Sequence, residues 1–226
     1  MITLFGYVLL ACQPMQNRKM PPVLSPHVDA PFHLLGTPYA VDENASEIRL
    51  LVYREGPLAR LGHNHVMTGK VRGEIGVSDT AAGSSFRLEI PLESFAVDLP
   101  LPRAEEGDDF KSEVSEGARQ GTRKNMLGAG LLDAVQYPVI QIESAGLNGS
   151  RLNPEVIAHI TVRGVTSELK FAAVVIEQKD TLIINASFRV LQSELGMQPF
   201  SIMGGALRVR DAIDIRMRLL AMKKVD

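Results

Sequence analysis

From Ser46 onward, apolar and polar positions alternate along the chain. Ile48, Leu50 and Val52 are separated by Arg49, Leu51 and Tyr53. Side chains two residues apart share one face of a strand, so this stretch predicts a strand with one wholly apolar face and one mixed face. Gly56-Pro57 ends it. Val71, Gly73, Ile75 and Val77 then alternate with Arg72, Glu74 and Gly76. After a turn over 79–84, Phe86, Leu88 and Ile90 alternate with Arg87 and Glu89. Pro91 closes that strand, and Phe95-Ala96-Val97 predicts a short further one.

The pattern then breaks. Residues 103–110 are strongly acidic, and Ser112 to Gln120 are polar and tolerant of helix. Thr122 is a fair helix N-cap, with Met126, Leu127, Gly130, Leu131 and Ala134 following at helix-like spacing until Tyr137-Pro138. This segment reads as short helices packed over a barrel end. Strands resume at Val139 to Leu147, with Asn148-Gly149 as a hairpin-turn signal. Val156, Ala158, Ile160 and Val162 form the next apolar face, and Arg163-Gly164-Val165-Thr166 a turn. Leu169, Phe171, Ala173 and Val175 share a face, as do Leu182, Ile184, Ala186, Phe188 and Val190. The closing strand, Leu207 to Met222, sets Ile213, Ile215, Met217 and Leu219 against Asp214, Arg216 and Arg218.

About eight strands of this kind predict an all-β fold, an antiparallel barrel with a short helical insertion. Such a barrel either fills its interior with side chains or holds one small ligand. The apolar faces nominate Ile48, Leu50, Val52, Phe86, Leu88, Ile160, Phe171, Ile184, Phe188 and Met217 as the wall of a cavity. Met126, Met197, Met203 and Met217 are adaptable enough to line one.

Composition narrows the function classes. The net charge of −2 supplies no basic field for nucleic acid, and tryptophan is absent, which makes base stacking a poor reading. The single cysteine, Cys12, excludes an internal disulfide. No run of 18 apolar residues predicts a spanning helix. Residues 1–12 are apolar and end Leu9-Leu10-Ala11-Cys12, the pattern of a lipoprotein signal whose cysteine is acylated, although no Lys or Arg precedes it. The expectation is a lipid anchor at Cys12. Residues 13–38 carry six prolines, at 14, 21, 22, 26, 31 and 38, and read as a tether, with His27 and His33 solvated. The folded domain is expected over 39–226.

Candidate chemistry concentrates at Gly62-His63-Asn64-His65. In an extended chain His63 and His65 point the same way. Neutral imidazole both donates and accepts, so the pair could grip a quinone carbonyl or an alcohol head group. The alternative is a metal-binding module or metal-dependent enzyme, with Glu105, Glu106, Asp108 or Asp109 as third ligand. His159 alternates with apolar strand residues and reads as outward-facing or satisfied. Arg60, Arg123 and Lys124 could neutralise a phosphate head, although isolated basic residues usually just solvate. Gly204-Gly205 reads as a bulge or turn, because no lysine or helix signal follows at phosphate-loop spacing. No serine–histidine–acid arrangement or dinucleotide fingerprint is visible.

Tyr39-Ala40-Val41-Asp42, Ser46, Gly62-His63, Leu132-Asp133-Ala134, Tyr137-Pro138, residues 160–166 (Ile-Thr-Val-Arg-Gly-Val-Thr), Gly204-Gly205 and Val209-Arg210-Asp211 occur in a fixed order. Together they resemble the YceI-like, or polyisoprenoid-binding, family of bacteria over about residues 39–223. The resemblance implies an extended lipocalin-like eight-stranded barrel, exported to the cell envelope, with a long apolar pocket. Its ligands are expected to be polyisoprenoids, isoprenoid quinones or fatty-acid derivatives. Asn64-His65 extends the usual Gly-His to a His-x-His variant. The expected protein is therefore a non-enzymatic lipid binder, periplasmic or anchored through Cys12 on the periplasmic side of a bacterial envelope. No cofactor beyond the bound lipid is expected, and no nucleic-acid partner.

Overall fold

Antiparallel pairing runs through the described chain, residues 32–225 of the computed structural model. In order, the strands and helices are β1 (Thr37–Val41), β2 (Glu47–Glu55), β3 (His65–Lys70), β4 (Arg72–Val77), β5 (Ser85–Pro91), β6 (Ala96–Val97), α1 (Pro100–Glu105), α2 (Glu116–Leu127), β7 (Val139–Ser150), β8 (Asn153–Val162), β9 (Val165–Gln178), β10 (Thr181–Leu191), β11 (Ser201–Ile202) and β12 (Leu207–Lys223). β1 and β2 pair with successive parts of β12, so they act as one interrupted strand. β3 and β4 pair with β2 and β1, and β6 and β5 pair with β3 and β4, which makes two more interrupted strands. Counted this way, the wall has eight antiparallel strands and closes where β12 meets β1 and β2. Closure removes the exposed edges that an open sheet of this size would carry.

The inward faces are those the alternation predicts. On β8, Val156, Ala158, Ile160 and Val162 are buried while Ile157, His159 and Thr161 are half-exposed. On β12, Ile215, Met217, Leu219 and Ala221 are buried. Met203 departs from the expectation of a cavity-lining residue. It sits at the tip between β11 and β12 and is 65% exposed, beside Gly204 and Gly205, whose φ angles of 65° and 89° make that tip a turn.

Three local details differ from the sequence reading. The β7–β8 turn falls at residues 151–152 instead of Asn148-Gly149, because Ser150 pairs with Asn153. That register sets Leu147 opposite Val156, and both reach the barrel interior. Burial on one face thus overrides a local turn preference. Thr122 lies inside α2, whose N-cap is Ser115, the side chain accepting from the Ala118 N–H. α2 also stops earlier than expected, at Gly128. Leu132 and Ala134 donate back to the carbonyls of Met126 and Leu127, which closes compact turns, and Gly128 and Gly130 weaken any helical continuation. By contrast, Arg163-Gly164 turns as expected, with both φ angles positive (51° and 73°), the requirement of a type I′ hairpin.

The inserted segment covers part of the outer wall as well as an end. Phe110 joins Leu51 and Val66 in a small core outside the barrel, with Tyr53 against it at a ring separation of 5.5 Å. This explains the mixed outer face of β2. Residues 32–38, expected as the end of the tether, lie along the sheet. The Leu35 N–H donates to Ser85 Oγ at 2.7 Å, the Arg87 guanidinium stacks on Phe32, and β1 begins at Thr37. Cys12, His27 and the remainder of the expected signal and tether lie outside the described residues.

Candidate ligand-binding site

Among the described residues, a cavity lies at each end of the barrel interior. The larger, about 230 Å³, lies at the end where β2 finishes and β3 and β12 begin. The smaller, about 70 Å³, lies where β4 finishes and β5 and β8 begin. The ten expected wall residues divide evenly. Ile48, Leu50, Val52, Ile160 and Phe188 line the larger cavity. Phe86, Leu88, Phe171, Ile184 and Met217 line the smaller. Phe171 and Phe188 stack at 4.3 Å between ring centres, and this ring pair stands between the two chambers.

Polar side chains border the larger cavity where it meets the surface: Arg54, His63, His65, Thr122, Asn125 and Arg208. Here α2 closes over the barrel, contributing the buried Met126, and the following turns add Leu131 and Leu132. His63 precedes β3 and His65 opens it, with ring centres 6.3 Å apart. Both histidines border the cavity, as the spacing predicts. Asn64 between them holds the loop, accepting from the Arg54 N–H and donating to the Asp109 carbonyl, each at 3.0 Å.

Behind His65 lies a charged network that the sequence reading did not identify. The Asp98 side chain is fully enclosed, and its Oδ2 accepts from His65 Nδ1 at 2.6 Å. Its Oδ1 accepts from the Val66 N–H at 2.9 Å and from Arg103 Nη1 at 2.6 Å. Arg103 also donates to the carbonyls of Asn64 and Ser112. Burial alone would raise the Asp98 pKa. The hydrogen bonds from His65 and Val66, with the charges of His65 and Arg103, outweigh it and hold the carboxyl below its usual range. His63 moves down for a different reason: burial disfavours its cation, and His65, Arg103 and Arg54 repel it. The only local hint of Asp98 is a carboxylate directly after the short apolar strand. Nothing in that pattern specifies that residue 98 meets residue 65.

The acidic segment does not supply a third ligand to the histidines. Glu105 and Glu106 turn to Arg49, with Glu106 also facing Arg216, and Asp108 pairs with Lys111. Among the described residues, no group of three or more His, Cys, Asp or Glu side chains is placed to hold a metal ion. Of the basic residues that could meet a phosphate or simply be solvated, none is gathered into a phosphate cradle. Arg123 ties α2 to the wall by donating to the carbonyls of Phe95 and Glu93, while Arg60 and Lys124 are exposed.

Fold and site together define a closed, lipocalin-like barrel with an apolar interior and a polar mouth. A model of the YceI-like domain matches residues 39–221, and the chain belongs to this family. Its fold is similar to that of BcnA from Burkholderia cenocepacia (15% identity, TM-score 0.59, 80% of this chain and 99% of that one). It is also similar to a polyisoprenoid-binding domain from Saccharophagus degradans (14% identity, TM-score 0.57, 85% of this chain and 100% of that one). Comparison with curated proteins finds no match to this sequence.

Proposed function

We propose that this protein is a non-enzymatic carrier that holds a long-chain amphiphile, a polyisoprenoid, isoprenoid quinone or fatty-acid derivative, in its barrel. The observation that carries this reading is the 230 Å³ apolar cavity bordered at one end by a small set of polar groups. Each buried methylene contributes about 0.8 kcal/mol, so an apolar tail supplies the binding energy, and one or two fixed polar partners at the mouth orient the head. The polyisoprenoid-binding relative supports the same ligand class.

The test is native mass spectrometry of the full chain, untagged and from its own host, followed by organic extraction. A co-purifying hydrophobic species with an isoprenoid or acyl tail is the expected result. Repeated isolation of protein bare of lipid that also fails to bind added isoprenoids would end the carrier reading. The proposed location is the bacterial cell envelope, with Cys12 as an acylated anchor. Cys12→Ser should move the protein from the membrane fraction to the soluble one, and unchanged fractionation would remove the anchor.

A further inference from the structure

Within the carrier reading, the mouth specifies the chemistry of the head group. We infer that His65 presents a fixed hydrogen-bond acceptor to the cavity, so that the ligand carries a hydroxyl donor: a primary alcohol, or the phenolic hydroxyl of a quinol, in preference to a carbonyl, ether or phosphate.

Asp98 fixes the ring from behind. Its carboxylate meets the Arg103 guanidinium and the Val66 N–H, and remains ionised. An ionised carboxylate accepts only, so the 2.6 Å contact to His65 requires the ring proton on Nδ1. The partners thus assign the tautomer. In the neutral form of the ring, Nδ1–H is the one N–H, and it is engaged by Asp98. Nε2 is left with a lone pair, on a side chain that borders the cavity, and among the described residues no hydrogen bond reaches it. A hydroxyl satisfies that lone pair. A carbonyl or ether would set one acceptor against another in an apolar wall, where an unpaired polar group is costly. Phosphate is disfavoured because the guanidiniums at this end already have partners. Arg103 holds Asp98, Arg54 bonds the Gly62 carbonyl, Arg208 pairs with Glu55, and Arg210 lies over Tyr53.

Asp98 is a positioning residue, and it allows a test that a merely structural role would not satisfy. Its φ of 53° lies in the left-handed region, which asparagine adopts readily, so Asp98→Asn suits the backbone. The amide can donate to Nδ1, which moves the ring proton to Nε2 and turns the acceptor into a donor.

The experiment is titration calorimetry, at a mildly alkaline pH that keeps the imidazole neutral, of the full chain carrying Cys12→Ser, delipidated, with farnesol, farnesyl methyl ether (an acceptor only) and farnesyl phosphate. Wild-type sequence at the mouth should bind farnesol about ten-fold more tightly than the ether, the scale of one lost hydrogen bond. His65→Phe should bring the two together, and Asp98→Asn should reverse their order. Equal affinity for alcohol and ether before mutation, or tightest binding of the phosphate, would overturn the head-group assignment and leave the carrier reading standing. A folded Asp98→Asn protein that keeps the alcohol preference would overturn it too. Failure to bind all three probes would overturn both readings.

Discussion

The two ends of the barrel interior come from one alternating pattern, yet they enclose different things. At the mouth, the wall gives way to His63, His65, Asp98 and Arg103, and the cavity is large. At the far end, Leu182, Leu219 and Ala221 are almost fully buried, Ala81 of the Ala81–Gly83 turn lines the opening, and only about 70 Å³ is left. One end is a packed core that holds the barrel shut. The other accepts a buried carboxylate, a residue with positive φ and unfilled space. Local departures from good packing of this kind mark function, and the rest of the fold offsets them.

The largest effect is expected at the mouth. Asp98→Ala should cost about 3–5 kcal/mol, because it leaves Arg103 enclosed without its anion and frees the Val66 N–H. Urea unfolding measures this, and a loss below about 1 kcal/mol would mean that the network relaxes into solvent. At the far end, Leu182→Ala should cost about 2–5 kcal/mol through cavity formation, with little effect on the mouth histidines. Histidine resonances that shift as much as in Asp98→Ala would show that the two ends are not separate.

The ring pair between the chambers sharpens the contrast further. Phe171→Leu should cost on the order of 1 kcal/mol from the lost stacking, and should join the two spaces. The chain length that binds best should increase, and an unmoved preference would mean that the rings do not set the depth of the pocket.

At the mouth, acid acts on Asp98 and His63. The depressed Asp98 pKa means that its contribution to stability is fully present above the unfolded value of about 3.9 and is lost as pH falls through the lower folded value. For His63 the lowered pKa favours the neutral ring. The unfolded chain then takes up its proton first, so this residue subtracts from stability as pH falls from about 6.5 to the folded value. An NMR titration should place the His63 midpoint below 6.5, and Asp98→Asn should flatten the acid limb of the stability curve. The smallest effect is expected at the exposed rim. Leu61→Ser and Met203→Ser, at residues 62% and 65% exposed, should change stability by no more than about 0.5 kcal/mol.

Much of this molecule was legible in its residues alone. Period-two alternation identified the strands and their inward faces, and all ten proposed wall residues border the interior. The Gly62–His65 stretch pointed to the mouth, and the ordered motifs pointed to the family. These are local or serial properties, written in side-chain type and spacing. Contacts between distant parts of the chain set the remaining features. Interior packing of Leu147 against Val156 moved the β7–β8 turn away from Asn148-Gly149. Phe171, which lines the smaller cavity, stacks on Phe188, which lines the larger. The short β3–β6 ladder, continued by the Asp98 N–H to the Val66 carbonyl, brought Asp98 to His65 across 33 positions of sequence. Spacing along the chain determines which face a side chain takes. Only closure of the barrel determines which face it meets.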